Sequence, residues 1–349
     1  MTRRSVLGAM TALGVGAAWP TLARGQTMAA PILPRMSADP LRPPVLRQGD
    51  RVALVWPASR AAAPDEVERA KKEVSEWGLL PMTGPSAGKT YAYLAGTDVE
   101  RAADINWAFA DPEIRAVLCV RGGWGCARML PYVDMDLVRA NPKLVMGFSD
   151  ITALLVGLHK ATGLITFHGP NAISRDSEFS TKWLNKALFD PAPLGTFDGP
   201  DRPDDPNHTM QTVWPGRAKG ILMGGNVAVL SALAGTPFAP DFTDTIAFFE
   251  DVNEAPYRID RMLTQLLQAC NLHRAKGVAV GQFTRCDDPD SEWKVADVIR
   301  DRLGTLGIPV VSGFAIGHVL DKLTVPIGAM AELDGDARTL TVTESATRG

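Results

Sequence analysis

The apolar positions of this chain fall into short continuous runs and runs of helical spacing, and the two kinds alternate. The stretch 51-RVALVWPAS-59 is short, apolar and stopped by Pro57, which predicts a buried strand. Residues 65–80 then place Val67, Ala70, Val74 and Trp77 on one helical face, with Gly78 as a stop. Thr97 and Glu100 form a T-x-x-E capping box ahead of Ala102, Ile105 and Phe109, so a second helix is predicted to start there. Strands follow at 114-IRAVLCV-120 and 143-KLVM-146. Such alternation predicts a mainly parallel sheet covered on both faces. Further on, Ile259, Met262, Leu263, Leu266, Leu267 and Cys270 make 257–272 the clearest amphipathic helix. The runs 276–283, 308–314 and 323–334 predict further strands. Between the two halves, residues 190–217 hold six prolines with several Asp and Gly, a connector and domain boundary. The predicted layout is an α/β domain at 50–189, a linker at 190–217 and a second domain at 218–340. No internal repeat is visible.

Composition narrows the class. A hydrophobic content of 46% with 21% charged residues excludes a disordered or fibrous chain. The net charge of −3, without long basic runs, gives no footprint for nucleic acid. Cys119, Cys126, Cys270 and Cys286 lack metal-ligand spacing and read as small apolar side chains. Residues 1–25 add a targeting expectation: twin arginines (Arg3, Arg4), an Ala/Gly/Leu-rich stretch to about Ala18 and a small-residue site near Ala23 or Gly25. That is the layout of a cleavable twin-arginine export signal, too short to span a bilayer comfortably. The route carries folded substrates, which suits cysteines that need no disulfide. Its removal takes away three arginines and no acid, leaving −6 on a mature chain whose residues 26–49 are an N-terminal extension. A periplasmic location follows if the signal is used, a cytoplasmic one if it is not.

Candidate chemistry is concentrated in a few places. In 147-GFSD-150, Ser149 stands where an apolar run gives way to helical spacing. It is either the cap of that helix or an exposed nucleophile. The paired glycines of 121-RGGWGCAR-128 follow a strand directly, where backbone N–H groups can approach an anion or simply make a tight turn. By contrast, 84-GPSAGKT-90 has one residue too few between its glycines for a phosphate-binding loop and reads as a surface turn. Of the five histidines, His159, His208 and His273 read as surface or helix-end residues, while His168 and His318 adjoin turns that can face a cleft. Glu250 ends the apolar run Ile246–Phe249, so its carboxylate needs a partner, either an arginine or a histidine.

Taken together, these stretches resemble the LD-carboxypeptidases, serine peptidases that trim muropeptides and are grouped with microcin-C-type self-immunity peptidases. The resemblance rests on 94–134, 147-GFSDITALL-155, 168-HGP-170, 224-GGNVAVLSALAGTP-237, 249-FEDVNEAPYRIDRMLTQL-266 and 313-GFAIGHVLDKLTVPIGAMAELD-334, in that order, spanning about residues 50–335. It implies a flavodoxin-like or amidotransferase-like N-terminal α/β domain and a smaller β-rich C-terminal domain. It also implies a Ser149–Glu250–His318 triad assembled between them. Ser149 would attack the carbonyl, His318 carry the proton and Glu250 orient the imidazole. Backbone N–H groups of Gly123 and Asp150 would form the oxyanion hole. Arg121, Gly122, Trp124 and His168 are candidates for holding substrate.

The reaction implied is hydrolysis between the L-centre of meso-diaminopimelate and a terminal D-alanine in a peptidoglycan tetrapeptide. No metal or organic cofactor is implied, the partner is a muropeptide or stem peptide, and homodimers are common in the family. Stable membrane anchoring after signal removal is not expected. The familiar members act in the cytoplasm, so an exported form departs from the pattern. An immunity-type peptidase cleaving an aminoacyl-nucleotide, with Trp183 or Trp124 stacking on the base, is the second reading. A non-catalytic muropeptide-binding protein is the third.

Overall fold

The computed structural model describes residues 40–174, 177–199 and 209–349. The predicted export signal at 1–25, most of the extension 26–49 and His208 lie outside these residues. No helix among the described residues is long and apolar enough to cross a membrane.

The first half of the chain supplies β1 (Arg51–Val55), β2 (Leu80–Thr83), β3 (Ile114–Cys119), β4 (Leu144–Gly147) and β5 (Thr166–His168). They pair in parallel in the order β2-β1-β3-β4-β5. That is the flavodoxin-like order, with its switch point between β1 and β3. Parallel strands are covered on both faces, and β3 and β4 are buried along almost their whole length. The Thr97 and Glu100 capping box is present at the start of helix Asp98–Ala110.

The second half supplies β6 (Gly195–Thr196), β7 (Gln211–Trp214), β8 (Arg217–Asn226), β9 (Thr245–Val252), β10 (Gly277–Thr284) and β11 (Val310–Ser312). The chain then returns to the first sheet with β12 (Val325–Ile327), antiparallel to β5. It crosses back for β13 (Met330–Asp334) and β14 (Thr339–Val342). The second sheet runs β6-β14-β13-β8-β9-β10-β11-β7, with β8 to β11 parallel at its centre.

Three sequence expectations need correction. The run 323–334, read as one strand, is two strands in different sheets, broken at Gly328; an apolar run cannot reveal which sheet it joins. The connector 190–217 contains β6 and β7, because paired edges formed far along the chain shelter its polar backbone. His159 is not a surface residue: it is 3% exposed inside helix Thr152–Thr162, with Nδ1 2.9 Å from the Leu164 carbonyl.

Helix Thr152–Thr162 joins the two halves. Ten of its eleven residues are buried, which marks a helix enclosed on all sides. It packs on β4, β5 and β8, and Thr152 Oγ1 accepts the Asn226 N–H at 3.1 Å. The carboxyl ends of β4 and β9 are thereby brought to one place.

Candidate active site

Ser149 follows β4 in a one-turn 3₁₀ segment, Ser149–Ile151, that feeds helix Thr152–Thr162. Its φ is +66°, in the left-handed region that a non-glycine residue occupies at a penalty of about 1–3 kcal/mol. Neither the 3₁₀ segment nor the helix receives a side-chain cap. The cap reading of Ser149 therefore fails, and the half-buried serine sits on a strained strand-to-helix elbow. The Gly122 backbone lies against it, since a Cβ there would come 2.9 Å from Ser149 Cβ and 3.2 Å from Oγ. The next residue, Gly123, has φ +113°, and a Cβ would strike Ser59 Oγ at 2.0 Å. Only glycines permit this close approach. Asp150 occupies the first turn, where N–H groups lack intrahelical acceptors. Its carboxyl group turns away to accept the Cys126 N–H at 2.9 Å, and burial raises its pKa.

Glu250 is fully buried on β9, and its Oε2 accepts a hydrogen bond from His318 Nδ1 at 2.7 Å. The partner that a buried carboxylate requires is thus a histidine. Burial alone would raise the Glu250 pKa, but interactions with His168 and His318 outweigh it and hold the group below the usual carboxylate range. His318 is 21% exposed in its side chain, and the Phe148 ring packs on it with centroids 4.8 Å apart. Ser149 Oγ makes no hydrogen bond to His318, whose Nδ1 is bound to Glu250. Thr284 Oγ1 donates to the His318 carbonyl at 3.1 Å and steadies the loop.

Gly317, the glycine that precedes His318 in the sequence, was not among the candidate site residues. With φ +118°, it lets the loop pass so close that an added Cβ would meet Glu250 Oε2 at 2.6 Å. Gly317→Ala is expected to displace the imidazole and lower kcat/KM by about 10–100-fold, measured by steady-state kinetics beside a melting curve. Asp251 was also passed over. Burial first, then the Glu250 charge, pushes its pKa up to about 6. It accepts from Asn226 Nδ2 at 3.0 Å and from the Ala228 N–H at 2.9 Å, bracing the end of β8.

The substrate-binding candidates divide. A cleft of about 650 Å³ lies at the β1/β3 switch point, lined by Ser59, Arg60, Tyr93, Arg121, Gly123 and Trp124 among others. Trp124 is 66% exposed and meets Tyr93 edge to face at 6.5 Å. Arg121 lines the cleft, but its Nη1 is bound to Glu66 at 2.9 Å. Glu66 is buried and also accepts from Trp56 Nε1 and the Ala62 N–H. Exposed Arg60 has no acid within ion-pair distance among the described residues. His168, expected at the substrate, is 1% exposed and sits beside Glu250, because β5 is an interior strand capped by β12. Trp183, considered as a base-stacking residue, is buried against Phe197 and donates to Asp198, so it cannot stack on a ligand.

The sequence model of the LD-carboxypeptidase N-terminal domain matches residues 52–169, and that of the LD-carboxypeptidase C-terminal domain matches residues 219–333. The chain belongs to the LD-carboxypeptidase family. A putative carboxypeptidase of Streptomyces coelicolor is 40% identical over 311 residues, covering 86% of this chain and 96% of the relative. The probable murein peptide carboxypeptidase of Bacillus subtilis is 36% identical over 315 residues, covering 88% and 96%. Among solved structures, MccF in complex with glutamyl sulfamoyl guanosine superposes with a TM-score of 0.81 at 26% identity, covering 88% of this chain and all of that one. The mixed α/β fold and the serine-peptidase class of the LD-carboxypeptidase family hold for this chain.

Proposed function

We propose that this chain is a serine LD-carboxypeptidase that removes the terminal D-alanine from the L-centre of meso-diaminopimelate in peptidoglycan tetrapeptides. The observation that carries the reading is the 2.7 Å bond between buried Glu250 and His318, packed through Phe148 beside the strained Ser149. Ser149 Oγ attacks the scissile carbonyl as His318 Nε2 takes its proton; His318 then gives that proton to the departing D-alanine amine. Glu250 keeps Nδ1 protonated and balances the imidazolium charge. The N–H groups of Gly123 and Asp150 meet the oxyanion, the latter helped by the helix dipole. The stem peptide lies along the cleft between Tyr93, Trp124 and Arg60. Arg60, without an acid partner among the described residues, suits a substrate carboxylate better than Arg121.

Export through residues 1–25 would put this activity in the periplasm, acting on released muropeptides or intact wall, and a homodimer is part of the same proposal. A second reading, an immunity-type peptidase acting on an aminoacyl-nucleotide, draws on the exposed Trp124 at the cleft rim and on the likeness to MccF. Mass spectrometry after incubation with a defined muropeptide tetrapeptide and an aminoacyl sulfamoyl nucleoside separates the two. Loss of D-alanine from the tetrapeptide alone is expected. Cleavage of the nucleoside conjugate alone would overturn the carboxypeptidase reading.

A further inference from the structure

Glu250 has two oxygens, and the triad uses only one. Oε1 is buried and has no hydrogen-bond partner, although an unpaired carboxylate oxygen in a protein interior is strongly penalised. His168 Nε2 is likewise buried and unpartnered, and it lies 3.7 Å from that same oxygen. The separation exceeds hydrogen-bond range by somewhat under about 1 Å, a gap that a small tilt of either group closes.

Among the described residues, the other charged groups near this site are engaged elsewhere or stand off from it. Asp251, the neighbouring acid, is turned toward Asn226 and the backbone of Ala228 and Val252. Lys322 Nζ stands 6.0 Å from the Phe148 ring, on the His318 loop. Asp150, beyond Phe148, is bound to Cys126. His168 is boxed by Phe248 at 5.5 Å and Phe148 at 6.2 Å, both edge to face. An aliphatic or aromatic residue would fill such a box more favourably than an imidazole unless the ring nitrogen had a task. His168 also pairs with Gly147 across the sheet, two residues before Ser149, so it ties the nucleophile strand to the acid strand.

We propose that His168 is a positioning residue for Glu250: its Nε2–H closes on Oε1 and fixes the carboxylate plane so that Oε2 faces His318. The acid then stands between two imidazoles, one that moves protons and one that only donates a hydrogen bond. This assignment rests on the Ser149–Glu250–His318 reading. Without the His168 bond, the carboxylate is less well stabilised and more basic. The acidic limb of the measured pH profile is then expected to move upward.

The test follows labelling of the serine by a fluorophosphonate across about pH 5 to 9, which needs no natural substrate. His168→Phe is expected to slow labelling at neutral pH about tenfold and to raise the acidic limb by about one pH unit. His168→Gln, which keeps an N–H donor, is expected to recover most of both. Nitrogen NMR of the wild-type protein supplies a readout independent of variant folding. It should find His168 protonated on Nε2. A proton on Nδ1 instead, or variants with lowered melting temperature and an unmoved limb, would overturn the assignment. If Ser149→Ala still labels, the triad reading itself fails; if it does not label, an unmoved limb counts against His168 alone.

Discussion

Ser149→Ala is expected to lose D-alanine release and fluorophosphonate labelling by about 10⁴-fold or more, while the protein stays folded. Removal of a serine nucleophile leaves only the catalysis that binding and the oxyanion hole supply. The elbow adds a second, less usual consequence. Because Ser149 is held at φ +66°, a glycine there relieves backbone strain that a serine cannot. Ser149→Gly should therefore be as inactive as the alanine variant yet melt about 2 °C higher, the response of a chain of this size to roughly 1 kcal/mol. Steady-state kinetics with differential scanning calorimetry on both variants would show this. Turnover surviving in either variant would mean that the nucleophile lies elsewhere.

Glu250→Gln is expected to lower kcat by about 10³–10⁴-fold with a far smaller change in KM. The amide nearly preserves shape but removes the charge that selects the imidazole tautomer and balances the imidazolium. The defect should persist at every pH, because no titration restores a charge that the side chain lacks. Stability gives an independent check. In the native protein, the histidines hold Glu250 below the usual carboxylate range despite its burial. A depressed carboxylate contributes stability that is complete above its unfolded pKa, about 4.3, and is lost as pH falls toward its folded value. The stability difference between wild type and Glu250→Gln should shrink on acidification below that point, as read by urea unfolding over an acid series. A constant difference would mean that Glu250 is not ionised in the native state.

What the sequence disclosed depended on how local the cause was. The Thr97–Glu100 box and helix Pro256–Ala269 were legible because capping and a six-residue apolar stripe are written within a few turns. The course of 323–334 was not, since alternation is the same in whichever sheet a strand lies. The burial of His159 and His168 was equally hidden: it comes from Gly328, β12 and Phe248, which are distant in the chain. Ser149 was ambiguous for a different reason. Serine suits an N-cap and an elbow alike, and only its φ and the missing cap bond distinguish them. Glu250 announced itself as a carboxylate ending an apolar run, but nothing nearby said that a residue 68 positions on would bind it. Only the ordered motifs made that link visible in advance.

The return of the chain to the first sheet at β12 carries a consequence for biosynthesis. The loop bearing His318 is pinned at one end by β11 and at the other by β12, which pairs only with β5. A ribosome completes Ser149 and its elbow well before Val325 emerges, so on the proposed reading a nascent chain that ends between them holds its nucleophile without a positioned base. On that reading, the chain stays silent while it is being made and becomes competent only once β12 has docked on β5. A carboxypeptidase, as proposed, thereby gains the protection of a proenzyme without a segment to cut away.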